Sequence, residues 1–414
     1  MAFGRVTRIA PLACLFGLLS ACGGGDAASS TSDATPSPAI AAQMVVVAFN
    51  PYEDVDFAGH ARLLGQHHDH AGVTPSRLLA YDAAGYNVLG LQDYSGNPRL
   101  AYAWTQRRWP PDQWLPKGFL SQLKNVELFL PNAEEVGIPE FHATSNFGRT
   151  YIESQVDSGQ ARTAWQYKTN TEMIQLIRAG GGVPCLAHPF EPLLDTNYYS
   201  KIPCIEIYSA YSEGMKEQGN AYFTTRDRRR VMLDNWDRLL RENPRVLGIA
   251  VNDHFGPDSP PFVKVSPETR DSGKVQVFVH ESTLQAYENA FRRGAFFAIV
   301  DHGSRKGDFP LVRDILVLPE GIFIDTDAEV RWITNFGSVA QGNLLELAAL
   351  PERTTYARAE ISNASGTVYT QAFTIMARRD APFDDHSDAD PWGCRSPSAT
   401  PTSDGDKKPV CTYE

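Results

Sequence analysis

Histidine and carboxylate side chains recur in this chain where the residues before them are apolar. The first group is Gly65-Gln66-His67-His68-Asp69-His70. Gln92-Asp93-Tyr94 follows Leu89-Gly90-Leu91. Glu134 and Glu135 come soon after Leu128-Phe129-Leu130, with His142 close behind. His188-Pro189 closes Val183-Pro184-Cys185-Leu186-Ala187, Glu206 stands between Ile205 and Ile207, and Asn252-Asp253-His254 closes Ile249-Ala250-Val251. Such groups are costly to bury unless paired or bound to metal. Imidazole with carboxylate is a ligand set for zinc, manganese or iron. Each has a plainer reading when taken alone: His188-Pro189 as a loop, His67, His68 and His70 as a surface cluster, Glu134 and Glu135 as a solvated pair, Glu206 as the partner of an arginine. Their repetition at the ends of apolar runs favours a shared metal site.

The elements that must position them alternate. Met44–Phe49 and Tyr86–Leu91 are runs of strand length, and Pro75–Ala84 between them reads as a helix with proline in its first turn and Gly85 at its end. Thr171–Ala179 is helical and stops at Gly180-Gly181-Gly182. Val183–Ala187 and Ile205–Tyr208 are strands, Asp234–Glu242 is a helix, and Val246–Val251 is a strand. Short apolar strands separated by helices predict a parallel sheet or barrel, in which chemistry sits at the strand ends. From Pro310 the pattern changes to short strands at Ile315–Leu318, Gly321–Ile324, Val330–Ile333, Tyr356–Ile361 and Thr367–Thr370, with turns between them. That predicts a small β-sandwich.

In segment order the chain resembles the PHP (polymerase and histidinol phosphatase) superfamily of metallophosphoesterases. The residues that carry the resemblance are Gly181-Gly182-Val183-Pro184-Cys185-Leu186-Ala187-His188-Pro189, Ile205-Glu206-Ile207-Tyr208, and Val246-Leu247-Gly248-Ile249-Ala250-Val251-Asn252-Asp253-His254. Thr74-Pro75-Ser76-Arg77-Leu78-Leu79 and Gly85 to Asp93 add to it. The resemblance spans about Met44 to Gly303. It implies an α/β fold: a distorted (β/α)7 TIM-like barrel of PHP type over 44–305, followed by the small C-terminal β-sandwich at 310–380.

The same resemblance implies phosphate-ester hydrolysis of a small phosphorylated substrate by metal-activated water. Its metal ligands fall on His68, His70, Glu135 (or Glu134), His142, His188, Asp253 and His254. One site would use Glu135, His142 and His188, and a second His68, His70, Glu135 and Asp253. Two divalent ions, manganese, zinc or iron, follow from this. A third would use position 94 and His254, where Tyr94 replaces a family histidine and argues against it. Asn252 stands where the family carries an acid, so either it replaces that acid or Asp253 has taken over the job. Asp253 or His254 would protonate the leaving group, and Tyr94 would donate a hydrogen bond. Arg149 is a candidate phosphate clamp, with a solvated arginine as the plainer reading. His302, beside Asp301, either lines the site or belongs to a loop ion pair. Specificity would come from residues 95–125 and 191–235, where Trp104, Trp109, Trp114, Tyr198, Tyr199 and Tyr211 either stack on substrate or pack over the barrel mouth. The departures at Tyr94 and Asn252 also fit a rival reading, a PHP-fold ligand-binding lipoprotein that does not cut its ligand.

Hydrophobic residues make up 42% of the 414 and charged residues 21%, which excludes wholesale disorder. The net charge of −11 and the lack of a long basic run argue against a nucleic-acid polymer as partner. Arg5 and Arg8 precede an apolar run, Ile9–Leu19, too short to span a bilayer. Residues 1–21 therefore read as a signal peptide. Leu19-Ser20-Ala21-Cys22 resembles a bacterial lipobox, so Cys22 is the expected lipidation site, with 22–43 as a flexible linker. The expected place is the bacterial cell envelope, anchored to the outer membrane and facing the periplasm. Cys185 and Cys204 read as small buried residues, and Cys394 and Cys411, in the polar tail 381–414, as a possible disulfide pair.

Overall fold

The computed structural model describes residues 44–70, 75–95, 109–137, 142–150, 170–189, 193, 201–211, 228–253, 272–302 and 309–378. In chain order the elements are β1 (Val45–Phe49), β2 (Ala61–His70), α1 (Pro75–Ala83), β3 (Val88–Ser95), β4 (Leu128–Phe129), β5 (Glu134–Gly137), β6 (His142–Asn146), α2 (Asn170–Ala179), β7 (Val183–Ala187), β8 (Cys204–Ser209), α3 (Arg228–Glu242), β9 (Leu247–Val251), β10 (Ser272–Val279), α4 (Leu284–Arg293) and β11 (Phe296–Asp301). Then follow β12 (Asp314–Val317), β13 (Gly321–Asp325), β14 (Glu329–Thr334), β15 (Gly337–Gln341), β16 (Leu344–Glu346), β17 (Tyr356–Asn363), β18 (Gly366–Thr370) and β19 (Phe373–Ala377). The fold is α/β and rich in sheet. Among the described residues no helix is long and apolar enough to cross a membrane.

The local signals act as their chemistry demands. Pro75 opens α1, where a missing N–H is harmless, and Gly85 takes φ 82° after its last turn. Thr283 caps α4 by accepting from the Ala286 N–H at 3.2 Å, and Gly294 ends it in the left-handed region. Neither β10 nor α4 stands out as a separate signal in the sequence reading, and α3 starts six residues earlier than the Asp234 expected there.

One large sheet runs β1-β19-β17-β18-β11-β10-β2-β3-β5-β6-β7-β8-β9, with β14 beside β17, β15 beside β14 and β4 beside β3. The pairs β2–β3, β7–β8 and β8–β9 are parallel. The pairs β5–β6, β6–β7, β10–β2 and β10–β11 are antiparallel. The sheet is therefore mixed rather than the ring of parallel strands expected. One physical reason is loop length: only residues 138–141 separate β5 from β6, and a parallel crossover needs a dozen or more. The backbone of β9 packs directly against β10, where a Cβ on Gly273 would meet the Val251 backbone at 2.3 Å.

The strands after residue 310 are continuous with this sheet. β18 pairs with β11, and β1 pairs with β19. A separate sheet, β12-β13-β16, faces them across a core that includes Val45, Ile315, Ile322, Trp332, Leu345 and Phe373. Buried Arg358 of β17 clamps Asp237 of α3 with two bonds, at 2.7 and 2.8 Å.

Candidate metal centre

Six candidate ligands come together at the ends of β2, β7 and β9 and the starts of β5 and β6. On β2, pleating and a register shift between Gln66 and Asp69 send neighbouring side chains in different directions. His67 enters the core, stacked on Phe291 with ring centroids 4.5 Å apart, its Nε2 2.9 Å from the Tyr287 hydroxyl. Burial holds its pKa down at about 3, so it is neutral, and its place in the core keeps it out of both ligand groups. Asp69 turns to α1, where it accepts from the Tyr81 hydroxyl. His68 and His70 remain for the site.

The first group is His68, His70 and Asp253, joined by one oxygen of Glu135. His68 Nε2 lies 3.3 Å from His70 Nε2, 3.4 Å from Asp253 Oδ1 and 3.5 Å from Glu135 Oε2. His70 Nε2 lies 3.3 Å from Asp253 Oδ1 and 2.9 Å from Glu135 Oε2. Most of these separations are long for hydrogen bonds. They match the edge of a tetrahedron whose corners stand 2.0–2.2 Å from a central ion, about 3.3–3.6 Å. Asp253 Oδ1 is buried and makes no well-aligned hydrogen bond among the described residues. The donor set thus fits a divalent cation.

The second group is Glu135, His142 and His188. Glu135 Oε1 is 2.5 Å from His142 Nδ1 and 3.1 Å from His188 Nε2. Asp253 Oδ2 is 3.9 Å from His188 Nε2. Glu135 therefore presents one oxygen to each group, and Asp253 leans toward both. The carboxylate shared by both groups is that of Glu135 and not its neighbour Glu134. The two groups differ in access: the first is sealed, whereas the His142 side chain is 32% exposed.

Burial disfavours charge on His68, His70, His188, Glu135 and Asp253, and mutual attraction overrides it. For His70, burial pulls the pKa down, but Glu135 and Asp253 hold it up at about 9. His68 and His188 are raised against burial by the same carboxylates and Glu206. Burial would raise Glu135, yet the facing His142, His70 and His68 keep it well below the usual carboxylate range. Asp253 is lowered in the same way.

The surroundings orient the ligands. His68 Nδ1 lies 2.7 Å from Glu206 Oε1, which directs Nε2 at the group. Glu206 Oε2 accepts the His188 backbone N–H at 2.7 Å. Instead of the arginine expected for it, Glu206 serves two histidines, and its mark in the sequence is a lone acid inside an apolar strand. His188 and Asp253 take φ 31° and 52°, conformations that side chains rarely adopt. The Asp253 N–H donates to the His68 carbonyl at 2.8 Å. Asn252 points elsewhere, its Oδ1 accepting the Gly273 N–H at 2.8 Å, so Asp253 is the acid at this strand end. Tyr211 donates its N–H to the Asn252 carbonyl at 3.0 Å. Burial, then Asp253 and Glu135, push its phenol up to about 12.

Other expected residues are placed differently. The Tyr94 backbone stands in register with Glu135, but its side chain lies outside the described residues, as do His254 and Cys22. Arg149 is exposed, past the end of β6 that is remote from His142, and its side chain lies over Gly181. The four residue steps of β6 alone put about 13 Å between those ends, which separates Arg149 from both groups. His302 belongs to neither group and donates its N–H to the Ser365 carbonyl at 2.8 Å. Its neighbour Asp301 pairs with Lys274 at 2.5 Å. Cys185 and Cys204 are buried as expected but joined in a disulfide across β7 and β8. Cys394 and Cys411 lie outside the described residues.

No family model matches the chain, and no curated protein matches it. Among solved structures, a two-domain protein from Bacteroides vulgatus, described as containing a predicted PHP-like metal-dependent phosphoesterase, matches with a TM-score of 0.34 at 11% identity. The match covers 77% of this chain and 96% of that one.

Proposed function

We propose that this chain is a phosphoesterase that works with two divalent metal ions. The observation that carries the reading is Glu135, whose two carboxylate oxygens face two separate ligand groups. When bound, such a pair of cations supplies Lewis acidity toward a phosphoryl oxygen and lowers the pKa of water toward neutrality. His68, His70, Asp253 and Glu135 would hold the inner ion, and Glu135, His142 and His188 the outer one. Glu206 keeps the His68 and His188 donors aimed. Substrate approaches from the His142 side, the exposed edge of the cluster. The Tyr211 phenol keeps its proton at neutral pH and serves as a neutral donor near the reacting groups.

Export and lipidation at Cys22 belong to the same reading. The Cys185–Cys204 disulfide supports it, since structural disulfides persist in oxidising compartments. The test is metal analysis of the purified chain followed by a panel of phosphate monoesters and diesters with added manganese or zinc. Turnover that His188→Ala abolishes while the fold persists is the expected result. Two bound ions with no turnover on any ester would favour a binding protein, and no bound metal would end the reading.

A further inference from the structure

Gln66 belongs to neither ligand group, yet its amide ties together three backbone segments around the inner one. Its Oε1 accepts from two N–H groups at once, that of His68 at 3.2 Å and that of Asn252 at 3.2 Å. Its Nε2 donates to the Gly273 carbonyl at 3.2 Å. The side chain is fully buried. One end of the clamp is therefore the backbone of a ligand, His68, and the other is the residue beside a second ligand, Asp253. Asn252 completes the frame through its own bond to the Gly273 N–H, and Gly273 packs so closely on β9 that a Cβ there would meet the Val251 backbone at 2.3 Å. The gap spanned by this frame is the 3.4 Å between His68 Nε2 and Asp253 Oδ1.

We infer that Gln66 is a positioning residue that sets the separation of His68 and Asp253, and through it the affinity of the inner group for a divalent cation. This rests on the two-ion reading above. The register shift after Gln66 is the second half of the argument. It is the point at which β2 leaves regular pairing with β3, so His68 is held by the Gln66 clamp together with the bond from the Asp253 N–H to its carbonyl at 2.8 Å.

Cobalt(II) alone is the probe, because its visible absorption reports coordination number and geometry. The full chain is stripped of metal and titrated as wild type, Gln66→Met and Gln66→Glu. Met keeps the length and removes every bond, whereas Glu, protonated in this buried place, keeps the acceptor for both N–H groups and a donor to the Gly273 carbonyl. Wild type should take up two cobalt ions. Gln66→Met should bind one of them 10- to 100-fold more weakly, roughly the range for loss of a group that orients a ligand, with a changed visible spectrum. Gln66→Glu should restore most of that affinity and the wild-type band. If Gln66→Met does not fold, Gln66→Asn, with the same amide one methylene shorter, decides in its place and should show the same weakening. Two-ion binding by either variant at wild-type affinity, with an unchanged spectrum, would overturn the role of Gln66 alone. Failure of the wild type to bind cobalt would overturn the two-ion reading as well.

Discussion

At the scale of single residues, the shared carboxylate and the raised histidines make separable predictions. Glu135 gives one oxygen to each group, so Glu135→Ala should strip both ions from a chain that binds two. His142→Ala touches only the outer group and should remove one, as measured by metal analysis after gel filtration. Equal losses in the two variants would contradict the division into groups. The pH dependence has a definite sign. In the metal-free chain His70 titrates at about 9, up from its ordinary 6.5. Its contribution to stability is therefore complete below about 6.5 and lost as pH rises through 9. His68 and His188 shift in the same direction. The metal-free chain should melt at progressively lower temperature from pH 6.5 to 9, and the stabilisation by added zinc should grow over that window as protons cease to compete. A flat or rising Tm in metal-free protein would show that the histidines do not carry those protons.

At the scale of elements, β7 and β8 deliver His188 and Glu206, and the Cys185–Cys204 disulfide staples them two or three residues before those side chains. The cysteines are separated by 19 residues, for which loop closure gives about 3 kcal/mol. Cys185→Ala with Cys204→Ala should lower the free energy of unfolding in urea by about that amount, with a slightly steeper transition because the denatured chain is no longer cross-linked. An unchanged midpoint would mean that the disulfide contributes nothing to the fold. Two short strands with complementary apolar faces were readable in the sequence. Their cross-link was not, because it depends on Cys185 and Cys204 being partners in a parallel register that no local pattern announces.

At the scale of the whole molecule, the strands after residue 310 are structural partners of the strands before it. β18 covers the edge of β11, β19 holds β1, and buried Arg358 is paired with Asp237 of α3. A chain cut after residue 305 exposes the β11 edge and removes the partners of β1 and Asp237, which leaves an open sheet edge prone to aggregation. Such a truncation should be recovered as insoluble or molten protein, assessed by circular dichroism and light scattering. A monomeric, cooperatively folding 44–305 fragment would show that the two parts are independent after all.

What the sequence determined by itself was the inventory and its local setting. Apolar runs followed by His, Glu or Asp marked β3, β4, β7 and β9. Proline and glycine marked the limits of α1, and short strands between turns marked β12, β13, β14, β17 and β18. Those signals are local, set by burial periodicity and backbone propensity within a few residues. Tertiary structure decided everything that depends on which strands meet. It turned His67 into the core and His68 into the site, although they are adjacent. It chose Glu135 over Glu134 and Asp253 over Asn252, left Arg149 at the far end of its strand, and gave Glu206 two histidines for partners. It also placed β1 against β19, more than three hundred residues away in the chain. The physical reason is common to all of these: a side chain's face follows from local pleating, but what stands opposite that face is set by strand register and order. Those are fixed only when the whole sheet has closed over its core.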